Sequence, residues 1–327
     1  MLIICFFTNI SLGSVYIPIK SVFNSLIGSA TEQETWQHII QNYRLPKAIT
    51  AIIVGSGLGI SGLLMQTLFR NPLAGPFVLG ISSGASLGVA LVILGSGVFG
   101  GVFASLFISK WGIVLAASLG SFLVLLSVLM VSLKVRDTMA ILIIGLMFAS
   151  ITAAIVSVLS YFGSAQQLQQ YIFWGFGSLG NLSWDEIFIF FLIYAIGILI
   201  SIISIKSLNT LLLGENYAKS LGLNIKKSRL IIIIATSLLA GTITAFAGPI
   251  AFIGLAIPHL TRQVFNTSNH KILLPAVFLF GAIVMLICDS IAQLPNSDFT
   301  LPINAITSLI GAPVVIWLLV RKRKMIF

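Results

Sequence analysis

MAILIIGLMFASITAAIVSVLSYF, residues 139–162, runs for 24 residues without one Lys, Arg, Asp, Glu or His. As a helix it is about 36 Å long, enough to cross the ~30 Å hydrocarbon core of a bilayer. A barrel strand would alternate apolar and polar residues over about ten positions, and this stretch does not. It reads as a membrane-spanning helix. Comparable apolar segments cover about 1–12, 48–68, 78–98, 112–133, 186–206, 229–248, 250–265, 273–294 and 302–320. The expected fold is therefore all-α, a polytopic membrane protein of about ten transmembrane helices.

Composition excludes the other classes. The chain has 327 residues, 58% hydrophobic and 8% charged, with a mean hydropathy of +1.10. A soluble domain carries about 25% charged residues, and a disordered chain needs still fewer apolar ones. Cys5 and Cys288 both lie in apolar runs, so there is no disulfide framework and no cysteine cluster for zinc.

The net charge of +10 bears on topology, not on nucleic acid, because basic residues set membrane orientation. Placing Arg321, Lys322, Arg323 and Lys324 in the cytoplasm and alternating backwards puts 14 cations inside and 4 outside. The inner set adds Arg70, Lys134, Arg136, Lys206, Lys219, Lys226, Lys227, Arg229, Arg262 and Lys271. The outer set is Lys20, Arg44, Lys47 and Lys110. Losing or gaining one span would destroy this asymmetry, so both termini are expected inside. The first segment is too short to span alone, and the reading favours a true start upstream of Met1. Three stretches outside the spans are long enough to fold: 14–47 and 163–185 outside, 207–228 inside. None has the composition of a linker to a soluble domain, so residues 1–327 read as one membrane domain.

Few side chains offer enzyme chemistry. Gly80-Ile81-Ser82-Ser83-Gly84 fits the nucleophile-elbow pattern, but that motif needs a strand-to-helix turn. At the start of a span, with Ala85 and Gly88 following, these small residues read as a close helix contact. The chain has neither a Walker A loop nor H-E-x-x-H. Asp289 lies near the outer end of its span; an acid at depth suggests function, but a helix-end Asp bonded locally is the favoured reading. Gly248-Pro249, Pro258 and Gly311-Ala312-Pro313 are expected to break their helices, as a transport pathway tolerates. The inner loop predicts a short helix from Gly214 to Gly222, with Gly222 as its left-handed stop and Leu213, Tyr217 and Leu221 on one stripe. That stripe is open between a docked partner and the bilayer surface.

Taken in order, these stretches resemble the iron–siderophore, haem and cobalamin permease family of ABC importers (FecCD-type). Arg44-Leu45-Pro46-Lys47 resembles the family's R-L-P-R. Ser61-Gly62, Gln66, Arg70-Asn71-Pro72-Leu73-Ala74, Leu79-Gly80 and Gly84-Ala85 resemble its second signature, and Trp174-Gly175 with Gly177-Ser178-Leu179 its outer loop. Leu213-Gly214-Glu215, Ala218 and Leu221-Gly222 resemble its coupling segment. Gly248, Ile250, Phe252-Ile253-Gly254-Leu255, Ile257-Pro258-His259 and Arg262 form the longest match. Leu274-Pro275, Gly281-Ala282, Asp289, Leu301-Pro302 and Gly311-Ala312-Pro313 follow.

The resemblance implies a type II ABC importer permease in the cell (inner, cytoplasmic) membrane. A second permease chain would complete a pathway at the dimer interface. It implies no catalysis and no cofactor in this chain, because ATP and Mg bind partner ATPase subunits. Those subunits would dock on Leu213, Gly214, Glu215, Tyr217, Ala218, Lys219, Leu221 and Gly222. An extracytoplasmic solute-binding protein would dock on Arg44 and Lys47. The pathway and its inner gate would involve Thr138, Asn71, Pro72, Pro258 and His259. Iron–siderophore complexes are the expected cargo, with haem or cobalamin as the alternative. A secondary transporter or an intramembrane Ser82 protease is the rival from another class. Two departures stand out: the family's D-x-x-A-R ends here in Gln293, and its E-L-P-x-G becomes Thr300-Leu301-Pro302-Ile303-Asn304. Both remove charge from the outer face and put in doubt a salt bridge carried over to that region.

Overall fold

The computed structural model describes residues 1–29, 31–95, 109–134, 138–295, 297 and 299–320. Among these residues every regular element is helical. In chain order the helices are α1 (Leu2–Ser11), α2 (Ile19–Leu26), α3 (Glu34–Ile39), α4 (Leu45–Phe69) and α5 (Ile81–Ile93). Then come α6 (Lys110–Lys134), α7 (Thr138–Phe162), α8 (Ala165–Gly175), α9 (Trp184–Ile203) and α10 (Ile205–Leu211). The last are α11 (Glu215–Ser220), α12 (Ile225–Ala247), α13 (Ile253–Phe265), α14 (His270–Ala292) and α15 (Ile303–Val320).

Among the described residues each of the ten expected spans coincides with a helix; residues 96–98 of the span expected at 78–98 lie outside them. Six are long and apolar enough to cross a membrane: those containing α4, α6, α7, α9, α12 and α14. Leu2–Ser11, Ile81–Ile93 and Ile303–Trp317 are apolar but shorter, and α13 has 13 residues. The outer 163–185 stretch supplies α8, whose first turn is closed by a reciprocal Ser164–Gln167 capping box.

Burial ranks the helices. The most apolar window of α4 is 89% buried, that of α7 only 22%. A helix apolar on every side belongs in the core or in lipid, and α4 is in the core. It is the central pillar, enclosed by α9, α12, α13 and α14, while α5 packs against α6 and α7 at one side. Glycine permits the closest crossings. A Cβ on Gly55 would stand 2.2 Å from the Gly281 carbonyl oxygen, fixing the α4–α14 contact. On α5, a Cβ at Gly84 or Gly88 would stand 2.4 Å from Gly120 O or 2.0 Å from Ala116 O of α6. The small-residue reading of 80–88 is the one the packing bears out, and Gly80 closes a 3-10 turn (Pro76–Leu79) where a nucleophile elbow needs a strand.

Two expected breaks are absent. α13 runs through Pro258 and α15 through Pro313. Pro258 removes the N–H that would meet Gly254 O. That carbonyl instead abuts Gly62, so closely that a Cβ there would be 1.7 Å from it. The neighbouring Leu255 carbonyl accepts from Gln66 Nε2 at 3.1 Å. The central pillar thus packs directly against the carbonyl the proline leaves free and hydrogen-bonds its neighbour. The true interruption lies at 248–252, between α12 and α13, where Gly248 has φ +77° and Phe252 φ +65°. Backbone groups without a helical partner there are served by protein: Ala247 O accepts from Ser178 N at 2.8 Å, and Ala251 N donates to Asn304 Oδ1 at 3.0 Å. That is what irregular backbone at membrane depth requires.

Candidate functional site

The functional features gather at two ends, here termed outer and inner after the charge distribution. At the outer end a cavity of about 610 Å³ lies between the 13–15 turn, the start of α4, the 176–181 loop and the 289–303 segment. Lys47 and Asp289 meet there: Lys47 Nζ is 3.1 Å from Asp289 Oδ1. The Asp289 side chain is almost fully buried, and its Oδ2 accepts from Asn9 Nδ2 at 2.9 Å and from Gln293 Nε2 at 2.7 Å. The favoured expectation of a purely local helix-end bond is therefore corrected: the carboxylate ties α1, α4 and α14 together. Gln293 has lost the charge of the family pattern but keeps a donor on Asp289. Asn304, the other departure, bonds the α12–α13 break instead of facing the cavity.

Arg44 sits beside this pair but turns away from solvent. It is 9% exposed. Nη1 donates to Ile10 O at 2.7 Å and Ser11 O at 2.9 Å, and Nη2 donates to Val15 O. Two carbonyls at the end of α1 and one in the turn after it thus engage its guanidinium, which anchors the outer turn. Of the two cations expected to face a docking protein, Lys47 is partly exposed and already has a counter-ion, and Arg44 is enclosed. Lys110 stands on the same end, with Nζ 2.5 Å from Asn181 O and 3.8 Å from Glu186.

At the inner end the expected short helix is present. α11 starts after Gly214, φ +100°, and stops at Gly222, φ +85°. Gly222 N donates to Lys219 O at 2.9 Å and Leu223 N to Ala218 O at 3.0 Å. These are the paired bonds of a Schellman stop, which needs a left-handed residue where Gly222 stands. Ala218 is fully buried and seats the helix, while Leu213, Tyr217 and Leu221 are 58%, 57% and 59% exposed. All three predicted residues are thus exposed, but only Tyr217 lies within the helix, Leu213 preceding Gly214 and Leu221 capping the end, beside a cavity of about 630 Å³ bordered by Leu68, Arg70 and Leu211. Glu215 bonds Arg229 of α12 at 3.0 Å, a residue the sequence reading named only among the inner cations. Lys219 is exposed.

The expected pathway residues are distributed. Asn71 and Pro72 lie in the turn after α4, where Arg70 is left-handed (φ +47°) and Asn71 Oδ1 accepts from Leu73 N at 2.9 Å. Pro258 is buried and His259 half-buried on α13. Thr138 is the first residue of α7, and its side chain lies outside the described residues. Sequence reasoning missed the polar contacts of the buried Thr67 and His270 and the half-buried Asn209, whose one signal was polar residues close to otherwise apolar spans.

Residues 1–321 match the model of the FecCD transport family. The vitamin B12 import system permease protein BtuC of Klebsiella pneumoniae is 37% identical over 288 residues, which are 88% of this chain and 84% of that one. The hemin transport system permease protein HmuU of Yersinia pestis is 34% identical over 319 residues, 96% and 93% of the two chains. A metal-chelate type ABC transporter solved in an inward-facing conformation superposes with a TM-score of 0.84 at 31% identity, covering 98% of this chain and 96% of that one.

Proposed function

The chain belongs to the FecCD transport family, and from that premise we propose that it is the membrane-spanning subunit of an importer for a metal chelate, driven by ATP in separate partner subunits. The observation that carries the reading is the joint exposure of Tyr217 on α11 and of Leu213 and Leu221 at its two ends. Three large exposed side chains on one short helix and its two ends, beside a cavity and with Lys219 exposed, suit contact with a protein partner. The charge count favours the cytoplasm for this face and for the C-terminus.

In this reading two permease chains enclose the pathway. ATP closes the nucleotide-binding subunits, and α11 conveys that movement to the spans. Residues 70–76 and α13, which carry Asn71, Pro72, Pro258 and His259, line the inner gate together with Thr138. Cargo is handed over at the outer end by a solute-binding protein, and its docking surface is the rim around the outer cavity, including Lys47. A large chelate needs little charge along such a route, because strong binding would hold it there. The names of the relatives favour cobalamin and haem as cargo over the iron–siderophore complexes that the motifs alone suggested. The chain itself needs no cofactor, and Mg and ATP belong to the partner.

Proteoliposomes holding the permease, its ATPase and its binding protein provide the test. Accumulation of haem or cobalamin that requires ATP and stops with vanadate is the expected result. Accumulation by the permease alone would identify a secondary carrier and end this reading.

A further inference from the structure

A line of polar side chains, half-buried at Asn209 and buried at His270, Thr67, Arg262 and Gln66, leads from the base of the inner helix into the packed bundle. It begins at Asn209 on α10, the seven-residue helix that runs directly into the α11 turn. Asn209 Nδ2 donates to Asn269 Oδ1 at 3.0 Å, and Asn209 Oδ1 accepts from the His270 backbone N–H at 2.9 Å. The fully buried His270 ring bridges to the pillar: Nδ1 is 2.8 Å from Asn209 Oδ1 and Nε2 is 2.8 Å from Thr67 Oγ1. Thr67 Oγ1 in turn takes Arg262 Nη2 at 3.5 Å. Arg262 Nη1 donates to Gln66 Oε1 at 2.9 Å, and Gln66 Nε2 reaches Leu255 O at 3.1 Å.

The donor assignments interlock. The two other bonds of Asn209 fix its amide, so Oδ1 accepts and the His270 proton sits on Nδ1. With the imidazole neutral, Nε2 accepts from the Thr67 hydroxyl, which itself accepts from Arg262. From Arg262 to Asn269 every bond then points the same way. Leu63 O, 2.9 Å from Thr67 Oγ1, is the alternative acceptor for that hydroxyl. A rotation of one O–H therefore opens or closes the line without moving a heavy atom.

The line joins four helices in a fixed order: α10, α14, α4 and α13. Its far end lies against the turn after α4, where a Cβ on Gly75 would be 3.2 Å from the Leu255 side chain. Apolar packing alone would hold these helices together but lets them slide. The buried part of this polar network, from His270 through Thr67 to Arg262 and Gln66, fixes one register and costs free energy when a member moves alone. We propose that Asn209, His270, Thr67, Arg262 and Gln66 form a polar strut that conveys displacement of α11 to α4 and α13. They are positioning residues, and the proposal rests on α11 being the ATPase contact.

The test uses the full complex with its ATPase in nanodiscs, with deuterium uptake measured with and without ATP plus vanadate. In the wild type, peptides covering 211–223 and 253–265 both change on trapping. Thr67→Val removes the hydroxyl. His270→Gln keeps a donor or acceptor near Thr67 and withdraws from Asn209, while His270→Asn does the reverse. In all three the 211–223 response persists and the 253–265 response is lost, while Thr67→Ser restores it. A 253–265 response equal to wild type in Thr67→Val, or in His270→Gln should Thr67→Val fail to fold, overturns the strut alone. No response at 211–223 in the wild type overturns the ATPase contact itself, and the strut with it.

Discussion

Lys47 Nζ lies 3.1 Å from Asp289 Oδ1 and joins the start of α4 to the end of α14 at the wall of the outer cavity. The partners are not equivalent. The Lys47 side chain is 21% exposed and that of Asp289 2%. Removing the cation strands a buried carboxylate on two neutral donors, whereas removing the acid leaves an ammonium that reaches water through the cavity. Lys47→Met should cost about 3 kcal/mol and Asp289→Asn about 1 kcal/mol. Melting of the detergent-solubilised protein gives the comparison. Equal losses would mean that Asp289 draws its stability from Asn9 and Gln293, not from Lys47.

The same geometry separates docking from folding. Reversing Arg44 and Lys47 together to Glu would set two carboxylates beside Asp289 and break the α1 anchor, so lost uptake would have two causes. Arg44→Lys isolates the anchor: Lys cannot reproduce a fork shared among three carbonyls. A loss of about 1–3 kcal/mol is expected, with faster deuterium uptake confined to residues 9–17. Unchanged uptake there would show that the α1 end is held by packing alone.

Much of this architecture was legible because it depends on local properties. Apolar run length gave the ten helices, and Gly222 stops α11 because its left-handed φ favours glycine. What escaped depends on residues distant in the chain. No sequence window around Pro258 contains Gly62 or Gln66, which accommodate it from α4. Asp289 looked local because its partners Lys47 and Asn9 stand on other helices. Arg44 read as a surface cation because nothing nearby in sequence shows that the 10–15 turn folds back over it.

The α5–α6 contact makes the small residues of 80–88 a sharp test between packing and catalysis. Gly88→Val places a branched side chain against the Ala116 carbonyl, where even a Cβ would come within 2.0 Å. It should cost more than about 3 kcal/mol, since neither backbone can retreat far. Ser82→Ala should leave both melting and transport as in the wild type. Loss of function in a normally folded Ser82→Ala protein would revive the nucleophile that the helix geometry argues against.

On α11 the exposed side chains and the seated ones make opposite predictions. Tyr217 is 57% exposed and Ala218 fully buried. Tyr217→Asp puts a charge on the proposed partner face without touching the fold. Affinity for the ATPase should fall by at least about tenfold, as removal of a central aromatic contact does, while the melting temperature holds. Ala218→Leu should instead lift the helix off its seat and lower the melting temperature as well. Glu215→Gln weakens the bond to Arg229, but Glu215 is 34% exposed, so its stability cost stays below about 1 kcal/mol. Pull-down of the ATPase by each detergent-solubilised variant, next to its melting curve, reads both quantities. If Tyr217→Asp binds as tightly as the wild type, the stripe faces lipid headgroups and the ATPase contact lies elsewhere on the inner end.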